Sequence, residues 1–319
     1  MSQYHETIDL YGDVVVALTP ATHPLAPWDQ DLEEIQRVLA EDQSREYQPP
    51  DEQSPSPASD ALQPESGPVG NDPAQGVHSD NPPPRQLRYL VSSKHLAVAS
   101  VVFHKSFSGP WREGNHVHPD GLRHVRLVDF DPKALSIVLN VFHLKHHRVP
   151  KHIDADTMCK IALLVDYLDC HEAVASAAAS WMPRQKTVYR DRREVVIWVF
   201  ISSVFGHKAI FRESTRAAVV DGTGPFRTLG LPIQQTIVER IDAARIQLLN
   251  TCLASLDRLI AALRDDFQRC SFLCDSIMLG ALIKNMNAHR LLRPRSEAIL
   301  ADLSVSKLKR IVETFKTPF

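Results

Sequence analysis

Apolar residues recur at regular spacings between Leu87 and Met182, and this pattern predicts a folded domain. The predicted elements, in order, are a strand from Leu87 to Val91, a helix that begins at Ser92 or Ser93, a strand from Val125 to Val128, a helix that begins at Pro132, and a helical pair from Ala155 to Trp181. Strands followed by helices indicate an α+β domain. The predicted core-facing helix positions are Leu96, Val98 or Ala99, Val102 or Phe103, and then Leu135, Val138, Leu139 and Phe142.

The pattern becomes entirely helical after Pro183, which predicts an all-α C-terminal domain over residues 183–319. The expected helices are Arg193 to Phe205, Ala209 to Val220, Thr236 to Phe267, Phe272 to Asn287, and Ser304 to Phe315. In the longest of them the apolar residues advance by a mean step above 3.5, which favours a packed amphipathic helix over a heptad coiled coil. Its predicted buried stripe is Ile237, Ile241, Ala244, Leu248, Cys252, Leu256, Leu259, Leu263 and Phe267.

The N-terminal region contains one predicted strand, Asp13 to Leu18, which ends at the Thr19-Pro20 pair. Ten prolines and no aromatic residue lie between Gln48 and Gln86, and the branched apolar residues there are Leu62, Val69 and Val77. Such a segment buries too little apolar surface to offset its ordering entropy. Residues 20–86 are therefore predicted to be a mostly disordered insertion, with one marginal helix from Trp28 to Asp42.

Composition narrows the classes of function. The net charge of -2 and the pI near 6.7 predict no general affinity for nucleic acid or for an anionic membrane. The five cysteines are an odd number, and the start of the chain lacks a secretory pattern, which predicts reduced thiols in the cytoplasm or nucleus. The apolar run from Val195 to Gly206 is shorter than the roughly 18 residues that a membrane-spanning helix needs. We therefore expect a soluble protein.

The order of four local motifs along the chain is informative about its fold. Asp13 precedes an apolar strand, Phe130-Asp131-Pro132 forms a strand-to-helix corner, and Val165-Asp166-Tyr167 lies in a later helix. Taken together with the helical-hairpin pattern of Leu96, Ala97, Ser100, Phe103 and Phe107, they resemble a BTB/POZ domain. The likeness covers Gly12 to Leu18 and Leu87 to Met182. The pieces SSKHLAVAS, VDYLDCHEAV, WVFISSVFG and SFLCDSIMLGALIK resemble the divergent BTB proteins of filamentous fungi.

This resemblance implies a small sheet with a helical cluster, interrupted by the insertion and followed by the helical domain. The implied segments are 1–19, 20–86, 87–182 and 183–319. Many BTB domains carry a His-Lys pair where this chain has Ser92 and Ser93, so a charged pocket at Asp13 is not expected. Swapped BTB dimers have a helix and a strand before the aspartate, whereas twelve residues precede Asp13 here. A swapped dimer is therefore not expected.

The histidines are the first candidates for a metal site, because ten of the fifteen lie between His95 and His171. A zinc site needs about four convergent ligands. Since residues 115–124 resemble a polar loop and residues 143–152 a solvated helix end, we predict no metal. Cys270 and Cys274 have helical spacing without a second pair, which favours a structural core. The segment GPWREGN lacks the lysine of a phosphate-binding loop, and no Gly-x-Ser-x-Gly or His-Glu-x-x-His motif is present. We predict neither a cofactor nor an enzyme.

A basic run comprises Arg184, Lys186, Arg190, Arg192 and Arg193. Such a run could be a nuclear-import signal or a phosphate-contacting patch. Acidic residues at 191 and 194 interrupt it. The interruption favours a solvated helix start that links two domains.

The candidate partner contacts are Phe107, Trp111 and Glu113. Some BTB domains that recruit a cullin scaffold carry an apolar-x-Glu element just after the paired helices, and Trp111 and Glu113 fall at the matching place. An exposed tryptophan is a typical interface anchor, and the glutamate could accept a charge-assisted hydrogen bond. The alternative is that Trp111 folds back over the hairpin and Glu113 is merely solvated.

These observations predict a non-enzymatic protein-protein interaction module of BTB/POZ type. Its sharper form is a substrate adaptor for a cullin-based ubiquitin ligase. The alternative is a nuclear, transcription-associated regulator that acts through protein partners, because no zinc-finger spacing or basic reading helix predicts direct DNA binding. An enzyme is the third and weakest hypothesis. The sequence leaves the partner and the oligomeric state open.

Overall fold

A computed structural model of the chain describes residues 4–27, 86–109, 116–182, 189–265, 271–295 and 301–318. The strands are β1 Glu6–Thr7, β2 Val14–Pro20, β3 Leu87–Val91 and β4 Arg123–Phe130. The helices are α1 Ser93–Ala99, α2 Val101–Ser108, α3 Pro132–Phe142, α4 Ala155–Leu168, α5 His171–Trp181, α6 Arg192–Val204, α7 Lys208–Asp221, α8 Gln235–Arg264, α9 Phe272–Ala288 and α10 Val305–Glu313. This mixed α and β composition confirms the coarse prediction of fold class.

The chain divides into two units, of which the first comprises residues 1–26 and 86–319. All described elements belong to the first unit. The predicted helix from Trp28 to Asp42 and most of the predicted insertion lie outside the described residues.

The four described strands form one sheet in the order β1-β3-β2-β4. β2 pairs antiparallel with β3 and parallel with β4, so the predicted first strand is an interior strand. All five residues from Val14 to Leu18 are buried, which explains why this strand is an uninterrupted apolar run. The short strand β1 pairs in parallel with β3 and did not appear in the sequence pattern.

The N-terminal segment is held on α3 by polar contacts. Glu6 Oε2 accepts a hydrogen bond from Ser136 Oγ at 2.6 Å, and Asn140 Nδ2 donates to Glu6 Oε1 at 3.3 Å. The Lys145 ammonium group donates to the carbonyl of Ile8. Gly12 then allows the chain to pass β3, because a Cβ at this position would lie 2.6 Å from the carbonyl oxygen of Val91. These contacts place β1 at the sheet edge.

A first core joins the sheet to helices on both sides of residue 182. It contains strand residues such as Val16, α4 residues such as Leu164 and α6 residues such as Phe200, and it continues as far as Ile241 of α8. Every residue from Val195 to Ser202 is buried, because α6 is apolar on all sides and packs against α4 and α7. The predicted division between residues 87–182 and 183–319 is therefore not a division in side-chain packing.

A second core lies between the C-terminal half of α8, α9, α10 and the loop after α9. Its buried residues are Leu249, Leu253, Ile260, Leu282, Met286, Leu291, Leu303 and Leu308. The predicted stripe of the long helix is correct at Ile241, and its members Ile237, Cys252, Leu256 and Leu263 pack against one of the two cores. The stripe is wrong at Ala244, Leu248 and Leu259, which are exposed. The buried residues of α8 follow one continuous face of the helix from the first core into the second, namely Val238, Ile241, Arg245, Leu249, Leu253 and Ile260. Phe267 lies outside the described residues.

The helix α8 is the one described helix long and apolar enough to cross a membrane by length and composition alone. A helix in the core of a globular protein can pass the same test. Ile241 of α8 packs in the first core, and Leu249, Leu253 and Ile260 pack in the second. These contacts agree with the prediction of a packed amphipathic helix.

Candidate functional site

A groove of about 700 Å³ lies among α1, the start of α2, the end of α3 and the corner between α4 and α5. Val141 and Phe142 contribute buried apolar side chains to its lining. Two further lining residues face water, because Val98 is 91% exposed and Leu144 is 70% exposed. Lys94 and His104 carry basic groups on α1 and α2, while Asp169 and Glu172 carry acidic groups at the corner between α4 and α5. The lining of the groove is thus largely apolar and also contains both basic and acidic side chains.

Ser100 creates this groove by separating α1 from α2. Its backbone is extended, with φ -135° and ψ 127°, so the predicted continuous helix is wrong at this point. The Ser100 hydroxyl accepts a hydrogen bond from the amide of Phe103 and donates to the carbonyl of Leu168 at 2.6 Å. The break keeps Leu96 and Phe103 buried but leaves Val98 in solvent. Of the two predicted alternatives, Ala99 and not Val98 packs against the core.

Leu144 lies in the left-handed backbone region with φ 56°, directly after α3. The amide of Lys145 donates to the carbonyl of Asn140 at 2.9 Å, as in a Schellman motif, in which glycine is the usual left-handed residue. A branched side chain there costs about 1–2 kcal/mol. Since the Leu144 side chain is mostly exposed, packing within this chain does not offset that cost.

The turn before β2 lies near the same groove. Leu10 and Tyr11 are 81% and 93% exposed at its tip. The carboxylate of the preceding Asp9 lies within 4.8 Å of ring nitrogens of His95 and His143, and His95 lines the groove. Together with Val98 and Leu144, this turn concentrates exposed apolar side chains on one side of the sheet domain.

Asp9, His95 and His143 are a candidate metal-ligand group. His143 Nε2 accepts a hydrogen bond from the amide of Ser92 at 3.0 Å, and its Nδ1 lies 2.7 Å from the carbonyl oxygen of Leu139, to which it donates. Both ring nitrogens are therefore engaged, and burial lowers the pKa of this imidazole. A metal ion would have to break one of these bonds, so the group fits a metal poorly.

Three further histidines stand together at the hairpin before β4. The rings of His118 and His124 are stacked with centroids 4.1 Å apart, and His116 meets His118 edge to face. His124 Nε2 contacts the Asp120 carboxylate at 2.7 Å. Because a metal lies in the plane of the imidazole that binds it, two stacked rings do not converge on one ion. The hairpin is not arranged as a metal centre.

Two of the described cysteines are structural. Cys159 and Cys170 are buried, and burial raises the pKa of each thiol to about 12. Cys274 is partly buried in α9, while Cys270 lies outside the described residues. The two buried thiols stay protonated at neutral pH and are weak nucleophiles.

Asp13 holds the start of α1. Its carboxylate accepts hydrogen bonds from the Ser93 amide at 2.7 Å and from the Ser93 hydroxyl at 2.6 Å. Burial opposes ionisation, but these bonds and the charge of Arg123 hold the Asp13 pKa below its ordinary value. The contact between Asp13 and Ser93 thus links the residue before β2 to the pair of helices α1 and α2.

The other family-like positions are spread over the domain. Asp131 caps α3 by accepting from the Ala134 amide, and it also accepts from the Lys160 ammonium at 2.8 Å, while Pro132 is the first residue of that helix. Ala97 is partly buried in α1. Asp166 and Tyr167 are exposed on α4, and the Tyr167 ring lies 5.0 Å from that of Phe130. These positions do not converge on one site.

Phe107 is the one predicted partner contact within the described residues. Its ring stacks on that of Phe103 with centroids 6.0 Å apart, and the Arg123 guanidinium lies 5.7 Å from its centroid. The ring is partly buried and packs against the core. Trp111 and Glu113 lie outside the described residues.

The basic run is partly engaged in the fold. Arg193 donates to the carbonyls of Leu25 and Ala26 and to the Asp156 carboxylate, all at about 3 Å. Arg190 donates to Glu194. A nuclear-import receptor would need such side chains free. These contacts favour the structural interpretation of the run, although residues 184 and 186 lie outside the described ranges.

Comparisons with protein-family models, curated proteins and solved structures found no match. The site is therefore defined by its own geometry. The exposure of the groove residues Val98 and Leu144 was not predicted from the sequence. A leucine directly after a helix end, where glycine is usual, is the local signal that could have identified Leu144.

Proposed function

We propose that this chain is a non-enzymatic protein-interaction module of the BTB/POZ type, whose groove docks an amphipathic helix of a partner protein. The observation that carries this proposal is Leu144, an exposed leucine in a backbone conformation that disfavours it. Residues held in such conformations cluster at functional sites. Burial of Leu144 and Val98 under a partner would contribute about 1.5–3 kcal/mol for each side chain.

The charges of the groove define the occupant. Lys94 and His104 suit acidic groups on one side of a partner helix, and Asp169 and Glu172 suit basic groups on the other. A helix that carries apolar anchors between acidic and basic flanks would complement all three surfaces. We commit to a helix from a different protein, and occupation of the groove by a second copy of this chain is an outcome of the test below.

The test first identifies partner proteins by cross-linking them to the groove. The helical segment of a cross-linked partner is then purified for binding measurements. Leu144→Gly should relieve backbone strain and keep or raise the unfolding midpoint, yet weaken binding of the segment by about tenfold. Leu229→Gly is the matched control, because Leu229 has the same backbone region with φ 55° but packs against the core. Its binding should be unchanged even if stability falls.

Two outcomes would overturn the proposal. One is equal binding of the segment by wild type and Leu144→Gly. The other is a dimer in sedimentation experiments that Val98→Asp dissociates, because the groove would then hold a second copy of this chain.

In the sharper form of the proposal, Trp111 and Glu113 bind the N-terminal domain of a cullin. Calorimetry with the purified domain should detect binding that Trp111→Ala/Glu113→Ala abolishes. The double variant must unfold like wild type for this comparison to count. Absence of binding at tens of micromolar by wild type would exclude the adaptor role while leaving the groove proposal standing.

A further inference from the structure

A second pocket, of about 560 Å³, lies on the second core where the C-terminal half of α8 meets α9 and the loop after α9. Ala254 and Ala261 lie on the same face of α8 and line this pocket. Their short side chains leave space that Ile283 of α9 and Leu292 of the loop border with apolar surface. The spacing of two alanines thus produces a hollow with an apolar wall.

Three arginines line this pocket, namely Arg258 and Arg264 on α8 and Arg293 on the loop. All three are exposed. The one carboxylate among the described lining residues is Asp257, so the lining has an excess of positive charge although the whole chain has a net charge of -2. Like charges that share a pocket repel, and a bound anion would relieve that repulsion.

Asp257 orients the arginine on the loop. Its Oδ2 accepts a hydrogen bond from Arg293 Nε at 2.8 Å and another from Arg295 Nη1 at 3.0 Å. Hydrogen bonds from Arg295 and then Arg293 hold the Asp257 pKa below its ordinary value, so the carboxylate is ionised at neutral pH. The bond to Nε fixes the plane of the Arg293 guanidinium and leaves its two Nη groups as the donors for a ligand.

We propose that this pocket binds an organic phosphate. The phosphate group would accept hydrogen bonds from Arg258, Arg264 and Arg293, whose planar donor groups suit phosphate oxygens. The excess charge of the lining matches a phosphate monoester, which carries a charge of about -1.5 to -2 at pH 7. The apolar part of the ligand packs against Ile283 and Leu292. The pocket is remote from the groove residues in sequence and core, and this inference does not depend on the proposed function.

Phenyl phosphate and inorganic phosphate are the probes, and calorimetry on the full chain is the measurement. Both should bind saturably, and phenyl phosphate should bind more tightly because its ring contacts the apolar wall. Arg258→Gln/Arg264→Gln should weaken both by about tenfold or more. Arg240→Gln is the matched control, since Arg240 is an exposed arginine of the same helix that does not line the pocket.

The variant Ile283→Ala tests the apolar contact with the ligand separately from the phosphate contact. It should weaken binding of phenyl phosphate and leave the affinity for inorganic phosphate unchanged. Urea unfolding of each variant checks that the fold is intact. The proposal is overturned if phenyl phosphate shows no saturable binding, if inorganic phosphate binds equally well, or if Arg240→Gln causes the same loss as the double variant.

Discussion

The first core is built around a sheet, whereas the second core is built around half of one long helix. Side chains of the first core, such as Leu164 and Phe200, are almost fully buried. Some of the exposed apolar residues around it, such as Val98 and Leu144, line the groove, whereas others, such as Val128, do not. The second core is smaller, and exposed apolar residues such as Leu259, Phe272 and Leu273 are spread over its helices. We expect the smaller core to deform more easily, because fewer buried side chains hold its helices together.

Truncation tests this difference most severely. A chain that ends at Met182 should lose cooperative folding, because it removes α6 from the face of α4. A chain that ends at Ala244 keeps α6, α7 and Ile241, and it should retain a cooperative thermal transition by circular dichroism. If the shorter chain unfolds cooperatively near the temperature of the whole protein, the domain boundary predicted at residue 182 is correct and the first core is not one unit.

Matched leucine truncations compare the two cores directly. Leu164→Ala should lower the free energy of unfolding by about 4–5 kcal/mol, because its surroundings cannot collapse into the cavity. Leu253→Ala should cost about 2–3 kcal/mol, because neighbouring helices of the second core can move closer. Urea unfolding monitored by fluorescence gives both values. An equal or larger loss at Leu253 would show that the second core is as rigid as the first.

Arg245 lies on α8 between the two cores and is buried. Among the described residues, its Nε and Nη1 atoms have no hydrogen-bond partner. Arg245→Met should raise the free energy of unfolding by about 1 kcal/mol or more, because an apolar side chain of similar length avoids the cost of a buried charge. Arg240→Met, at an exposed site of the same helix, should change it by less than about 0.5 kcal/mol. A loss of stability at position 245 would indicate that its guanidinium has a partner in solution.

Acid sensitivity should differ least between the cores, because each contains an ionised aspartate. Burial opposes ionisation of Asp131, but its bonds with Lys160 and the Ala134 amide lower the pKa, and arginines lower that of Asp257. A carboxylate whose pKa is lower in the folded than in the unfolded protein stabilises the fold at pH values above its unfolded pKa, which is about 4. This contribution disappears as the pH falls through the folded-state pKa. The urea midpoint should therefore fall below about pH 4. Asp131→Asn and Asp257→Asn should each flatten that fall, whereas an unchanged slope would assign the sensitivity to other groups.

Local pattern was sufficient for most elements of the fold. β3 was predicted at its observed bounds, and α3 begins at Pro132 because Asp131 caps it, as the corner motif indicates. Such features depend on neighbours in sequence. β1 was missed because two residues carry no periodicity, and its position depends on Ser136 and Lys145 far along the chain.

The groove could not be predicted because it depends on distant contacts. Spacing alone treats Val98 and Val102 as members of one helix, but the bond from Ser100 to Leu168 separates the helix into two. The identity of a partner could not be predicted either, because it depends on a surface that no internal contact of this chain specifies.

The order in which the ribosome makes this chain has a consequence for the sheet. β2 is synthesised early, yet both of its neighbours, β3 and β4, follow residues 21–86. At about 10 residues per second, roughly ten seconds separate the synthesis of β2 from that of β4. β3 follows after roughly seven of those seconds, so until then the apolar strand β2 has neither of its native pairing partners. A chaperone that binds short extended apolar segments would have its longest opportunity at Val14 to Leu18.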